Sequence, residues 1–419
     1  QIYKQELRNN SKNKRAQQLA SWKPFSNESC KWFDPQWMYG VREFDVVIGN
    51  PPYGFRTVLN KEEKAFFRKE KSIVFSSGDS AELFSKLCFE KLVRKQGTLS
   101  FIIPKKSVYG DAWEDTRLNY FYRNNLPFIM DTGKSFANVL LEAIVFGLSK
   151  KSNTKDKVKL SLYNKEKEIT DLGYFPKDKI FTEYNTVQIY KTQFPSSIIQ
   201  KVNKVKSKTT TIHGDLGLAI GTEFFSDKKK DYKLLKGIDI QKYNVRNNRY
   251  LKNKDKINWE KAKRFLKPKV ISQVIVSHIE NPYPHLKITA CFDQEGILIT
   301  NTLMSLDVAN DSVTNYFLLG YLNSKFISWY AYNFIYSRAI RTMHFYNFYI
   351  QQVPIPTVNN SIFIKIENLV KQIIEDDTEL ENQIDTLIYK LYNFSHEEVL
   401  IVDPEFSLSK EEYDNYMID

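Results

Sequence analysis

Phe44-Asp45-Val46-Val47-Ile48-Gly49-Asn50-Pro51-Pro52-Tyr53-Gly54 decides how the first part of this chain is read. A short, mostly β-branched apolar run reads as a buried strand, and the two prolines close it with a rigid turn. The turn holds Asn50 and Tyr53 at the strand's carboxyl end, where open α/β sheets place their ligands. These residue types suit a flat amine. The lone pair of an exocyclic amine is delocalised into its ring, and two acceptors aimed at the N–H bonds would localise it. The Asn50 side-chain oxygen and the Pro51 carbonyl are the candidates, and prolines contribute no competing donor. Tyr53 adds a stacking face, worth roughly 1–3 kcal/mol per base. On the tripeptide alone, a stiff turn with no further role stays open.

The same eleven residues resemble the catalytic motif of gamma-class DNA adenine-N6 methyltransferases, and further landmarks follow in that family's order. Ala81-Glu82-Leu83-Phe84 with Phe89-Glu90-Lys91-Leu92 resembles the amphipathic helix after the catalytic turn. Gly97-Thr98-Leu99-Ser100-Phe101-Ile102-Ile103-Pro104 resembles the next core strand with its terminal proline, and Ser135 to Phe146 the segment whose aromatic covers the other face of an extruded base. The resemblance implies Asn50, Pro51, Pro52 and Tyr53 as catalytic residues, Tyr53 and Phe136 as the two rings around a flipped adenine, and S-adenosyl-L-methionine as cofactor. It places Glu82 and Phe84 on the cofactor side, although Leu83 to Gly97 can be registered in more than one way.

A departure accompanies the match. Such enzymes carry a glycine-containing strand-turn-helix for the cofactor upstream of the catalytic turn, together with an acid for its ribose. Before Asn50 only Gly40 and Gly49 occur, amid the polar, basic stretch Gln1 to Trp22 and the aromatic stretch Trp32 to Gly40. The expectation is that an N-terminal segment of a longer protein, or a partner chain, supplies the cofactor loop. His213-Gly214-Asp215-Leu216-Gly217-Leu218-Ala219-Ile220-Gly221 has the wrong glycine spacing to replace it.

Farther on, Asp215 to Phe225, Leu234 to Ile240, Lys267 to Ile271, Asn301-Thr302-Leu303, Leu322 to Phe326 and Gln352-Val353-Pro354-Ile355-Pro356 resemble the target-recognition domain of TaqI-like methyltransferases and of single-chain type IIG restriction-modification enzymes. That resemblance implies double-stranded DNA as partner. Loop side chains would read base edges while basic ones fix register on phosphates. Lys228, Lys229, Lys230, Arg246, Arg249, Arg338, Arg341 and His344 are the candidates, each with a solvated surface as the plainer reading. The net charge of +12 and pI of about 9.2 agree with a polyanionic partner.

Three cysteines, Cys30, Cys88 and Cys291, stand far apart, and the five histidines show no ligand spacing, so no metal site or disulfide framework is expected. Asn315 to Phe334, the richest apolar run, is interrupted by Gly320, Asn323 and Lys325 and reads as buried helix, not as a membrane span. A cytoplasmic location is expected. The period of Ile362, Ile366, Leu369, Val370 and Ile373, then Ile384, Leu387, Ile388 and Leu391, predicts amphipathic helices.

The expected architecture is α/β: a partial Rossmann-like methyltransferase domain over 1–155, a connector over 156–205, a mixed α/β DNA-recognition domain over 206–358 and a helical tail over 359–419. The function expected is site-specific adenine-N6 methylation of restriction-modification type. Two alternatives stand beside it: a bifunctional restriction enzyme whose nuclease lies outside this chain, and a non-catalytic sequence-specific DNA-binding fragment.

Overall fold

In the computed structural model, the decisive apolar run forms β1 (Phe44–Gly49) and the glycine-led stretch after it forms β2 (Val93–Pro104), paired in parallel. The structure describes residues 39–54, 60–70, 73, 75–136, 141–151, 156–164, 168–308, 310, 312–357, 360–376 and 379–417, and in addition 17, 21, 23 and 36. Cys30 and most of the aromatic stretch 32–38 lie outside the described residues, as do residues 137–140. The chain divides into two compact units, one of residues 1–104 and 115–177 and one of 105–114 and 178–419.

The first unit is built on a six-stranded mixed sheet. Besides β1 and β2 it contains β3 (Asn125–Lys134), β4 (Glu142–Ser149), β5 (Lys157–Tyr163) and β6 (Ile169–Pro176), in the order β1-β2-β4-β3-β5-β6. β4 is flanked on both edges, and its run Ala143-Ile144-Val145-Phe146-Gly147-Leu148 is almost entirely buried. A near-continuous apolar strand is the mark of a sheet covered on both faces. β1 instead lies at one edge, with Val46 62% and Ile48 79% exposed. Gly97 has a packing reason: a Cβ there would come within 2.8 Å of the Asp45 carbonyl, beside the irregular register of β1 on β2.

α1 (Lys61–Glu70) and α2 (Ser80–Lys91) follow β1. Asp79 caps α2 by accepting a hydrogen bond from the Ala81 amide at 2.9 Å, the usual work of an aspartate at that position. Ala81, Leu83 and Phe89 are buried, and α2 packs on β2.

Two expected boundaries shift. Residues 157–163 and 169–176 pair into the catalytic sheet as β5 and β6, so this unit runs beyond 155 and the connector begins later than expected. Residues 105–114, next to β2 in sequence, belong to the second unit. Residues 158–163 are strand-like in sequence, but which unit each of these segments joins depends on the distant surface it covers.

The second unit includes α3 (Ser196–Val205) and a four-stranded antiparallel sheet formed by β7 (Ile212–Leu216), β11 (Lys269–Gln273), β14 (Ala290–Asp293) and β16 (Leu303–Val308), in the order β14-β11-β16-β7. Smaller sheets pair β8 (Phe225–Ser226) with β10 (Tyr250–Leu251), β9 (Leu234–Leu235) with β15 (Leu298–Ile299), and β12 (Ile275–Ile279) with both β13 (His285–Lys287) and β17 (Met343–His344). Leu234, Leu235, Phe265, Ile271, Cys291, Leu298, Ile299 and Leu303 form one apolar core here.

The run expected as a single buried helix is two, α4 (Asn315–Asn323) and α5 (Lys325–Tyr330), divided by Ser324, whose side chain caps the second. The tail forms α6 (Asn360–Asp376), α7 (Glu381–Leu391) and α8 (His396–Val402), and α6 and α7 pack on α4 as the periodicity requires.

A buried acid cluster sits where the tail joins. Asp403 accepts hydrogen bonds from Lys325 Nζ (2.9 Å), Tyr283 (3.2 Å) and Tyr389 (3.3 Å), and Asp385 accepts one from the Lys325 amide (2.9 Å). Burial pushes the Asp385 carboxyl up to about 7. With the folded pKa above the unfolded value, the stability this group contributes is fully present below the unfolded pKa and is lost as pH rises through about 7. Urea unfolding followed between acid and neutral pH should therefore show stability falling more steeply for the wild type than for Asp385→Asn. Parallel curves would contradict this assignment.

Candidate active site and nucleic-acid surface

The turn after β1 projects Asn50, which is exposed, while Pro51 is buried beneath it and Tyr53 is half-buried. Gly54 has φ +146°, a conformation glycine adopts without steric cost, and this lets the chain leave the motif sharply. The Tyr53 hydroxyl donates to the Ile102 carbonyl on β2 at 2.9 Å. Burial, helped by the nearby Asp79 carboxylate, pushes its pKa up to about 12, so the phenol stays neutral and donating at ordinary pH.

The amino end of α2 grips the other side of the motif. Ser80 Oγ donates to the Pro52 carbonyl at 2.7 Å, the Ser80 amide donates to the Gly54 carbonyl at 3.2 Å, and Asp79 Oδ1 accepts from the Gly54 amide at 3.3 Å. Neither residue was among the expected site residues. The signal available in sequence, an Asp-Ser pair opening a helix, is common at helix starts.

Phe136 comes to the same place. Its ring meets that of Tyr53 edge-on, with centroids 6.4 Å apart and planes at 65°. The expected pairing of these two rings is therefore present, but as an edge contact and not as an open parallel slot. A base seated between them requires one ring to turn, and Tyr53 is the one tethered by its hydroxyl.

Glu82 does not face a cofactor. It is fully buried, and its carboxylate accepts hydrogen bonds from the Ser77 amide (2.7 Å), Ser77 Oγ (2.5 Å) and Thr116 Oγ1 (2.7 Å) and pairs with Lys86 at 2.7 Å. Lys86 also reaches Asp115 at 2.5 Å. With its oxygens occupied in this way, Glu82 is unavailable to a ribose, and the expected cofactor role is corrected to an internal support. Phe84, two residues along on another face of the helix, is 36% exposed.

The expected DNA contacts in the second unit separate into two groups. Lys228, Lys229 and Lys230 are exposed in the loop after β8, and Arg246, Arg341 and His344 are exposed as well. The His344 ring stacks on Tyr346 at 4.9 Å and 5°. Arg249 and Arg338 are held inside their own fold instead. Arg249 Nε pairs with the buried Asp239 at 2.9 Å. Arg338 lies over the Tyr190 ring at 4.2 Å and donates to Asn333 Oδ1 at 2.7 Å. Their DNA-contact assignment is corrected accordingly, since a guanidinium committed to a ring and an amide is poorly placed for phosphate. Replacing Arg338 by alanine should lower the thermal midpoint by several degrees while leaving the salt dependence of DNA binding unchanged. A flatter salt slope in the variant would restore the DNA role.

A polar groove of about 560 Å³, lined by His213, Asp215, Lys263, Arg264, Lys267 and Asp307 among others, adds basic side chains that sequence inspection passed over. Arg264 pairs there with Asp215 at 3.0 Å. Among the described residues no group of His, Cys, Asp and Glu could hold a metal ion, and no helix is long and apolar enough to cross a membrane.

Residues 1–137 match the Eco57I restriction-modification methylase family, which covers the catalytic turn. Residues 232–355 match the TaqI-like C-terminal specificity domain. Together the matches place a restriction-modification methylase segment ahead of a TaqI-like specificity segment in one chain. A type II restriction enzyme and methyltransferase of Methanocaldococcus jannaschii is 26% identical over 416 residues, covering 90% of this chain. The chain spans 33% of that relative's length. Among solved structures, the type IIL restriction-modification enzyme MmeI in complex with DNA aligns over 88% of this chain and 56% of its own, with 12% identity and a TM-score of 0.49. The type IIG restriction endonuclease BpuSI aligns over 88% and 54%, with 12% identity and a TM-score of 0.33. The methylase and specificity matches support a DNA methyltransferase role, and enzymes of the methylase family depend in general on S-adenosylmethionine.

Proposed function

We propose that this chain is the base-handling and DNA-reading part of a site-specific DNA adenine-N6 methyltransferase of a restriction system. The observation that carries the reading is the solvent-facing Asn50 at the end of β1, on a turn whose Tyr53 ring touches Phe136. An adenine flipped from the duplex would enter beside these rings. Its two amine N–H bonds would donate to Asn50 Oδ1 and to the Pro51 carbonyl, drawing the nitrogen's lone pair out of the ring so that it can act as a nucleophile. Phe136 would turn to lie against one face of the base, with Tyr53 held on the other by Ile102 and α2.

S-adenosylmethionine supplies the methyl group in this family's chemistry. Glu82, expected on the cofactor side with Phe84, has its oxygens occupied within the protein, and no step is assigned to cofactor contacts by the described residues. In this reading the cofactor is held by residues of a longer protein or of a partner. The exposed lysines after β8 and the basic groove of Lys263, Arg264 and Lys267 would follow phosphates, with the loops of the second unit reading base edges. A cytoplasmic site of action follows from the DNA substrate.

The test is labelled-methyl transfer by the full-length protein to unmethylated DNA, followed by nucleoside analysis. N6-methyladenine as the product is expected; 5-methylcytosine or N4-methylcytosine would end the adenine reading. A bifunctional parent is the second reading, favoured by the likeness to a protein whose name carries both a restriction enzyme and a methyltransferase. DNA cleavage by the full-length protein, and none by this chain alone, is its expected result.

A further inference from the structure

We infer that Asp79 and Ser80 are positioning residues for the catalytic turn: they set the direction in which Asn50 and Tyr53 present their acceptor and ring, while touching neither the base nor the cofactor. The inference rests on the proposed base-handling role of that turn.

The turn spans two prolines and a glycine, so it has few backbone donors of its own. Pro51 and Pro52 contribute none, and among the described residues no backbone hydrogen bond within residues 50–54 fixes the peptide planes there. The fixing bonds come from 25 to 28 residues away in sequence. Ser80 Oγ holds the Pro52 carbonyl at 2.7 Å, its amide holds the Gly54 carbonyl, and Asp79 Oδ1 holds the Gly54 amide. Tyr53 lies between these anchor points, and its own hydroxyl is fixed to Ile102 on β2.

The grip is itself braced. Ser77 Oγ accepts from the Asp79 amide at 3.0 Å while donating to Glu82, whose second oxygen takes Thr116. Ser80 and Glu82 are fully buried. Buried polar groups with every partner present rigidify a site, and a missing partner is costly. The buried network therefore ends on two carbonyls and one amide of the loop that carries the chemistry. An ordinary helix cap needs only the Asp79 to Ala81 bond. The Ser80 hydroxyl takes no part in that cap, so its bond to Pro52 serves the loop alone.

Displacement of a reacting group by about 1 Å can cost on the order of 100-fold in rate. Ser80→Ala in the full-length protein should therefore lower the single-turnover methylation rate by about 10- to 100-fold, with DNA affinity close to wild type and the protein still folded at the assay temperature despite a modest drop in thermal midpoint. Asp79→Ala should behave similarly with some loss of stability, because it also removes the cap. Asp79→Asn keeps the Oδ1 acceptor and should restore the rate to within a few-fold. A wild-type rate in Ser80→Ala overturns the inference, as does a rate loss matched by an equal loss of DNA binding or of folded protein, or failure of Asp79→Asn to rescue. Asn50→Ala run alongside separates the two claims. If it abolishes transfer while Ser80→Ala is neutral, only the positioning role falls; if it leaves transfer intact, the reading of the turn falls and the inference with it.

Discussion

Replacing Asn50 by alanine in the full-length protein is expected to reduce methyl transfer by about 100- to 1,000-fold while DNA affinity stays within about twofold of wild type. The magnitude is that of removing one preorganised hydrogen-bond partner from a reacting group. Asn50 is exposed at the end of an edge strand, and among the described residues the hydrogen bonds that support the turn run through Tyr53, Pro52 and Gly54. Truncation should leave the turn in place and remove one of the two acceptors on the amine. DNA contacts are assigned to the second unit, so binding provides the internal control. Retained transfer in this variant refutes the assignment of the turn.

The second large effect is structural. Lys269 opens β11 and is buried, with its ammonium paired to the buried Asp293 and donating to the carbonyls of Phe265 (2.6 Å) and Ile297 (2.8 Å). Asp293 in turn accepts the amides of Glu295, Gly296 and Ile297. The pair ties the end of the recognition sheet to the loop that leads into β15. Burial lowers the Lys269 pKa, and the adjacent carboxylate acts against that shift. Lys269→Met removes one charge and strands the other inside the protein, which costs roughly 3–5 kcal/mol. Urea unfolding of the purified chain should show a loss of this size, and DNA binding should fail at temperatures the wild type tolerates. Removing both charges should recover part of the loss, because the severe state is the unpaired buried carboxylate. A loss below about 1 kcal/mol would mean that the pair is dispensable.

Much of the candidate site was legible because its signals are local. A β-branched run, two prolines, an aromatic and a glycine that needs positive φ are contiguous, and each acts through its own backbone. The helices of the tail were legible for a similar reason: Ile362, Ile366, Val370 and Ile373 repeat with the helical period, whatever they pack against. Glu82 shows the limit of this kind of reading. Its position in the helix was found, but the direction of its carboxylate depends on Ser77 and Thr116, the latter 34 residues away. Arg338 and Arg249 show it again, since a basic residue in a loop reads as surface until Tyr190 or Asp239 is seen beside it.

The sequence by itself determined that a strand ends in a proline-stiffened turn, that an α/β part resembling a methylase precedes one resembling a specificity domain, and that amphipathic helices follow it. All of these rest on chemistry within a few neighbouring residues. Tertiary structure alone decided how β5 and β6 pair into the first sheet, that β1 lies at its edge, that Asp79 and Ser80 hold the turn, and which basic side chains are tied into their own fold. Those outcomes are pairings between segments tens to hundreds of residues apart, and a side chain's type does not specify which distant partner the fold will bring to it.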